Sequence, residues 1–236
     1  MTGNTDGGND SPASATPTRR PRQHPPTRQR GWVLWGLGAV LTIAGVSALI
    51  TGIIAISSPT TKTTDLEGRP VHITSGAPTP EQITRMNVQP TGERFIVPAV
   101  GLNVPLSALN DVDNTITPPG FTSAYLIRNL GVPLTKASQG TVFIAMHSVR
   151  GGGTGPGNAL INVASGTARV HTGNLIRVGP LTYTITGWDT ETKTQVPRDT
   201  TLWANTPNRL IILTCMQLPT NTESTHNLII TATLTH

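Results

Sequence analysis

Cysteine is almost absent from this chain, since Cys215 is the only one in 236 residues. A single cysteine cannot form an internal disulfide, so the sequence excludes a disulfide-stabilised scaffold. It also excludes a zinc site built from several thiolates, and neither CxxC nor HExxH occurs. Cys215 is therefore either a small buried side chain or a reactive thiol.

Residues 1–30 lack large aliphatic and aromatic side chains after Met1. Such a segment cannot bury enough apolar surface to offset its chain entropy, so we expect a disordered, basic tail. The arginines that account for the net charge of +5 are Arg19, Arg20, Arg22, Arg28 and Arg30. Because no aromatic residue is interleaved with them and no nucleic-acid-binding motif follows, we expect no nucleic-acid partner.

No charged residue occurs between Trp32 and Ile56. A helix of about 20 mainly apolar residues can cross the hydrocarbon of a bilayer, and arginines ahead of it mark the cytoplasmic side. We therefore predict a single-pass transmembrane helix over residues 31–56 in the cell membrane, with a cytoplasmic N-terminus and an extracytoplasmic remainder. The competing interpretation is a cleaved signal peptide, whose apolar core of about 7–15 residues is usually shorter.

The remainder divides into two parts by composition. Thr, Pro, Ser and Gly dominate residues 57–93, which predicts a stalk with a short helix around Pro80–Met86. Residues 94–236 then form one folded domain of ordinary size. Short runs of Ile, Val, Leu and Thr predict strands at 94–98, 104–109, 140–146, 175–178, 181–189, 210–215 and 227–234. Several short strands with little helix indicate an all-β barrel or sandwich.

Cys215 and His147 each end a predicted strand. Cys215 closes the run RLIILTC, where a loop takes over and a cleft can open. A thiol becomes a useful nucleophile when a cation, a helix terminus or an imidazole supports its thiolate. His147 precedes the glycine-rich loop 151–157 and is the natural partner. Each residue alone is more often structural than catalytic, but two strand ends in an exported domain favour a catalytic pair.

Motifs around these two residues point to a known family. Leu213-Thr214-Cys215 closes a hydrophobic strand, and residues 95–105 read FIVPAVGLNVP. A strand ending at His147 precedes a long insertion and then the strand of Cys215. These features resemble the sortases, with their TLxTC motif and, in actinobacterial members, an IPxIGVxxPV segment. The resemblance covers about residues 94–234, and residues 117–119 and 196–203 fit classes F and E.

The resemblance implies an eight-stranded β-barrel and a cysteine transpeptidase. In sortases the cysteine attacks a peptide bond in a C-terminal sorting signal such as LPxTG, and an amine of peptidoglycan or a pilin resolves the thioacyl enzyme. Carried over, Cys215 is the nucleophile, His147 protonates the leaving amine, and Thr214 and Met146 border the substrate pocket. The implied partners are sorting-signal proteins, an acceptor amine and the membrane. We expect no cofactor and no metal.

The chain departs from the sortase pattern after Cys215. Sortases carry an Arg on the following strand that stabilises the oxyanion or orients the substrate, yet residues 216–236 contain no Arg or Lys. Candidates for that role are Asn227, His226, Arg150 and Arg198. Arg209 is a poor substitute, because six residues of strand separate it from Cys215, about 20 Å at roughly 3.3 Å per residue. The alternative is a catalytically impaired sortase-fold protein that binds peptides as a scaffold.

Other interpretations fit the sequence less well. The Ser-His-Gly-Cys context of L,D-transpeptidases is absent around Cys215, and papain-like hydrolases place Cys ahead of His. The loop 151–157 lacks a Walker lysine, so an active-site rim is the plainer interpretation. An adhesion or stalk domain would hold Cys215 more than about 6 Å from His147. The acids predicted to lie in turns and at the surface are Asp111, Asp113 and Asp189.

Overall fold

The computed structural model describes residues 63–71 and 77–235. The predicted tail (1–30) and transmembrane helix (31–56) lie outside the described residues. Within the described ranges, no helix is both long and apolar enough to cross a membrane.

Short strands dominate the described part of the chain. The strands are β1 (Gln89–Val97), β2 (Leu102–Leu109), β3 (Ala124–Ile127), β4 (Thr141–Ala145), β5 (Ile161–Asn162), β6 (Thr167–Ala168), β7 (Leu175–Val178), β8 (Leu181–Thr192), β9 (Arg209–Cys215) and β10 (His226–Leu234). The α-helices are α1 (Pro80–Met86) and α2 (Thr200–Trp203). The 3-10 helices are Pro98–Val100, Leu134–Gln139, Pro156–Leu160 and Val196–Arg198.

Eight of these strands close into a barrel. Their order around it is β1-β2-β3-β4-β9-β10-β8-β7, while β5 and β6 form a separate two-stranded sheet. The pairs β2/β3 and β4/β9 are parallel, and the other neighbours in the barrel are antiparallel. Closure gives each of the eight barrel strands a neighbour on both sides. The predicted eight-stranded, all-β barrel is confirmed.

Strand β9 is buried on both of its faces. Leu210 and Ile212 belong to the core inside the barrel, whereas Ile211 and Leu213 belong to a second cluster outside it. Full burial of each such side chain contributes about 1.5–3 kcal/mol. Because successive side chains of a strand alternate between its faces, Cys215 continues the outer row of β9.

The helix predicted around residues 80–86 is confirmed as α1. Thr79 caps its N-terminus, accepting a hydrogen bond from the backbone N–H of Gln82, whose side chain bonds back to the backbone of Thr79. This capping box satisfies backbone donors that a helix start leaves without partners. Strand β1 begins soon afterwards at Gln89, within the segment predicted as a stalk. Its first residues are exposed and lack the apolar alternation that marks a half-buried strand.

Candidate active site

The barrel topology brings Cys215 and His147 to the same rim. Strands β4 and β9 are parallel neighbours, Cys215 is the last residue of β9, and His147 lies two residues beyond β4. The backbone N–H of Met146 donates to the carbonyl of Leu213 at 3.1 Å. The hydroxyl of Ser148 donates to the carbonyl of Cys215. Hydrogen bonds on both sides of His147 therefore tie its backbone to the end of β9.

The imidazole of His147 is half-buried and held by two neighbours. Its Nε2 lies 2.7 Å from the carbonyl oxygen of Pro118, and its ring stacks on Phe121 with centroids 4.4 Å apart. A carbonyl oxygen only accepts, so Nε2 carries the hydrogen and Nδ1 is the nitrogen that can take a proton. Burial lowers the pKa of His147; the Pro118 hydrogen bond opposes this effect, and the charge of Lys193 adds to it.

Cys215 is a free, half-buried cysteine. Burial raises the pKa of its thiol, the positive charge of Lys193 lowers it, and the negative charge of Glu223 raises it, with a net increase. The same apolar surroundings disfavour the thiolate and the imidazolium. The resting pair at neutral pH is therefore a thiol and a neutral imidazole.

Two cavities meet at this pair. The first, of about 660 Å³, and the second, of about 770 Å³, share His147 and Cys215 in their linings. The apolar side chains of the first cavity include Ile116, Leu130, Phe143, Val196, Pro197 and Trp203. The polar side chains of the second cavity include Asp65, Arg69, Arg150, Gln217, Glu223 and Ser224. Both cavities are mainly apolar, and the first, here called the groove, carries fewer charged side chains than the second.

The segment 63–71 forms part of the wall of the second cavity. The backbone N–H of Thr154 donates to Asp65 Oδ2 at 3.0 Å, and the Arg69 side chain donates to the same oxygen at 2.9 Å. Burial raises the pKa of Asp65, but backbone hydrogen bonds from Thr154, Arg69 and Glu67, with the Arg69 side chain, lower it to about 2. This carboxylate anchors the segment to the glycine-rich loop.

Several solved structures are similar to this chain. No family model and no curated protein matches the sequence. The chain is similar to sortase A from Listeria monocytogenes at 21% identity, covering 61% of this chain and 86% of that one with a TM-score of 0.45. It is similar to sortase C-1 from Actinomyces oris at 15% identity, covering 66% and 81% with a TM-score of 0.45. A lid mutant of sortase A from Corynebacterium diphtheriae gives 17% identity, 70% and 84% coverage, and a TM-score of 0.45.

The similar structures are sortases. They include proteins named sortase A, sortase C and sortase D. The more specific F or E class stays a prediction.

The four candidates for the role of the sortase arginine differ in position. Asn227 lies opposite Cys215 in the β9/β10 pair and lines both cavities. Arg150 lines only the second cavity, whereas His226 and Arg198 line neither. Asn227 is therefore the best-placed hydrogen-bond donor among them.

The two predicted pocket residues lie on the inner face of the barrel. Met146 and Thr214 line the first cavity but are almost fully buried, and Met146 belongs to the barrel core. Strand alternation turns their side chains away from the row of Cys215. The hydroxyl of Thr214 packs against Gly157, where a Cβ would collide with it. The side chains of Met146 and Thr214 therefore pack beneath the first cavity, on the inner side of the barrel wall.

Two residues of the site, Lys193 and Asp111, are not predicted from the sequence. Lys193 lines both cavities, yet a lysine in a Thr-rich stretch resembles an ordinary solvated residue. Asp111, predicted to lie in a turn or at the surface, instead lines the first cavity with a buried Oδ1, and burial raises the pKa of its carboxyl. Arg209 is remote as predicted, since its side chain donates to Thr141 at the start of β4.

Proposed function

We propose that this chain is a sortase-type cysteine transpeptidase. The observation that carries the proposal is the position of Cys215 and His147 on adjacent ends of the parallel strands β4 and β9, where two cavities meet. A transpeptidase must hold an acyl donor and an amine acceptor on either side of its nucleophile. Two cavities that share one thiol and one imidazole fit that requirement.

The first cavity, with two aromatic side chains and few charged ones, suits the acyl donor. Its floor includes Phe143 of β4, and Trp203 of α2 stands against that ring with centroids 5.4 Å apart. Burying apolar side chains of a sorting signal there contributes about 25 cal/mol per Å². The scissile bond would then lie beside Cys215 at the end of the groove.

The first half of the reaction forms a thioester. Nδ1 of His147 takes the proton of the Cys215 thiol, and the thiolate sulfur forms a bond to the scissile carbonyl carbon. The C=O electron pair moves to the oxygen, where the Asn227 amide can donate a hydrogen bond to the oxyanion. When the oxyanion collapses, the C–N bond breaks, and the imidazolium gives its proton to the leaving amine.

The second half transfers the acyl group to an amine that enters from the second cavity, which carries more charged side chains. The amine nitrogen attacks the thioester carbon, and His147 takes a proton from that nitrogen. Collapse of the second oxyanion breaks the C–S bond. The departing Cys215 thiolate recovers its proton from the imidazolium, which restores the resting pair and leaves a new amide.

The setting of this reaction is part of the same proposal. A transmembrane anchor at 31–56 would hold the barrel at the outer face of the cell membrane. Exported proteins with a sorting signal would meet the enzyme there, together with a cell-wall or pilin amine. The partners, the anchor and the division into tail, stalk and barrel rest on the sequence patterns given above.

Peptide cleavage by the full chain, purified in mild detergent, tests the proposal. Quenched fluorescent LPxTG-type peptides are incubated with the wild type and Cys215→Ala, with and without a glycine-based amine. We expect the wild type, but not Cys215→Ala, to cleave the peptides. When the amine is present, the wild type should also form a ligated product. Peptide binding without turnover by a folded wild type would contradict the proposal and favour a sortase-fold peptide-binding scaffold.

A further inference from the structure

Lys193 occupies an unusual position at the end of β8. In the barrel, Asn227 of β10 lies between Cys215 of β9 and Glu191 of β8 and is directly opposite both. Side chains directly opposite one another in antiparallel pairs share a face. Lys193 follows Glu191 by two residues, and its backbone N–H donates to the carbonyl of Thr225 at 2.9 Å. The ladder thus continues to Lys193 on the same outer face and rim as the thiol.

Lys193 also lines both cavities. In the described part of the chain, no other Lys or Arg lines both cavities. Arg69, which lines the second cavity, is engaged by the carboxylates of Asp65 and Glu67. No hydrogen bond or ion pair among the described residues engages the Lys193 ammonium.

Building on the proposed transpeptidase, we propose that Lys193 is the catalytic cation of this site. Its ammonium stabilises the Cys215 thiolate and then the oxyanion that forms when the thiolate attacks. Residues 216–236 contain no arginine or lysine, and the positive charge is supplied instead by Lys193, immediately after β8. Asn227 of β10, which lies between β8 and β9, supplies a neutral hydrogen-bond donor in addition to the Lys193 ammonium.

The electrostatics of the pair agree with this position. The charge of Lys193 lowers the pKa of Cys215 and also that of His147. Both effects favour the chemistry, because a thiolate is easier to form and the imidazole stays neutral and able to accept a proton. Glu223 acts against Lys193 at the thiol, where its charge raises the pKa.

A compact ammonium on a flexible stem stabilises by charge rather than by a fixed pair of hydrogen bonds. Another cation of similar reach should therefore retain much of the effect, whereas a neutral side chain of similar length should not. The matched pair of variants is Lys193→Arg and Lys193→Met. Lys136→Met is the control, because Lys136 lies in the 3-10 helix before β4, at the opposite end of that strand.

The test begins with the pH dependence of Cys215 alkylation by iodoacetamide in the full chain, which requires no peptide substrate. We expect Lys193→Met to raise the apparent pKa of the thiol and to slow alkylation at pH 7 by about three- to tenfold, or half to one pKa unit. Lys193→Arg and Lys136→Met should alkylate as the wild type does. An unchanged profile in Lys193→Met would overturn the proposal.

Turnover provides the second readout. We expect Lys193→Met to lower kcat by about 10²-fold with little change in KM, and Lys193→Arg to restore most of it. An increase in KM alone would contradict a catalytic role, since it would indicate only ground-state binding. If the wild type cleaves no peptide while Lys193→Met still shifts the thiol profile, the transpeptidase proposal fails and the electrostatic assignment of Lys193 stands.

Discussion

The hydroxyl of Ser148, one residue beyond His147, donates a hydrogen bond to the carbonyl oxygen of Cys215. The side-chain amide of Gln217 donates to the same hydroxyl oxygen at 3.1 Å. Ser148 and Gln217 are both buried, so this link is shielded from water. The link joins the backbone of Cys215, at the end of β9, to Ser148, the residue next to His147.

Replacing Ser148 by alanine should loosen this link. The variant leaves the Cys215 carbonyl without its donor and removes the shorter of two hydrogen bonds from the Gln217 amide to residue 148, so we expect the free energy of unfolding to fall by about 1–3 kcal/mol. We also expect a lower kcat, since the two strand ends lose their shared contact. Denaturant titration and peptide turnover measure the two effects. Ser165→Ala is the control, because that hydroxyl is exposed and bonds to Thr167; equal behaviour of the two variants would contradict this role.

The stacked ring of Phe121 should depress the pKa of His147. Burial is the largest cause of that depression, and Phe121→Ala would admit water to the imidazole. We expect the pKa of His147 to rise toward its ordinary value of 6.5. NMR titration of the imidazole protons measures it. Phe121→Leu keeps an apolar cover and should shift the pKa less; an unchanged value in Phe121→Ala would show that the ring is not the shield.

Asp65 should make the anchoring of segment 63–71 pH-dependent. Its folded-state pKa of about 2 lies below the ordinary 3.8, so its contribution is complete above pH 3.8 and is lost as pH falls through about 2. At neutral pH we expect Asp65→Ala to accelerate hydrogen exchange at the Leu66 amide, which bonds to the Thr154 carbonyl. Asp113→Ala, which removes an exposed ion pair with Arg85, should leave that amide protected.

Trp203 should act on substrate binding more than on chemistry. Its ring lines the first cavity, and its Nε1 donates to the carbonyl of Val196 at 2.6 Å. We expect Trp203→Ala to raise KM for sorting-signal peptides by about tenfold, or 1.4 kcal/mol, with a smaller change in kcat. Steady-state kinetics separate the two constants. Trp188→Ala removes an exposed tryptophan of β8 and should leave KM unchanged. A similar increase in KM in Trp188→Ala would argue against peptide binding in the first cavity.

Much of the barrel could be predicted because its strands carry strong apolar patterns. The patterns at 175–178 and 210–215 predict strands within one residue of β7 and β9. Strand β3 is not predicted, because its four residues are all buried and do not alternate, a pattern too short to separate from a buried turn. The first half of β1 is not predicted for the opposite reason, since its side chains are exposed.

The site was predictable only where residues lie at strand ends. Cys215 and His147 could be paired because a parallel β4/β9 arrangement brings their strand ends together. Lys193 could not be placed with them from the sequence, because its position near Cys215 depends on the register of β8 against β10. Sequence spacing does not encode that register. The inward direction of Thr214 follows from strand alternation, which places residues 210, 212 and 214 on the face opposite that of Cys215.

Intact mass spectrometry of the full chain, mixed with an LPxTG-type peptide and no amine, detects whether Cys215 forms the proposed thioester. A thioester intermediate adds the acyl fragment of the peptide to Cys215, which hydroxylamine then releases. We predict this adduct in the wild type, its absence in Cys215→Ala, and its conversion to a ligated peptide when amine is added. A folded wild type that forms no adduct across a varied panel of sorting-signal peptides would contradict the account.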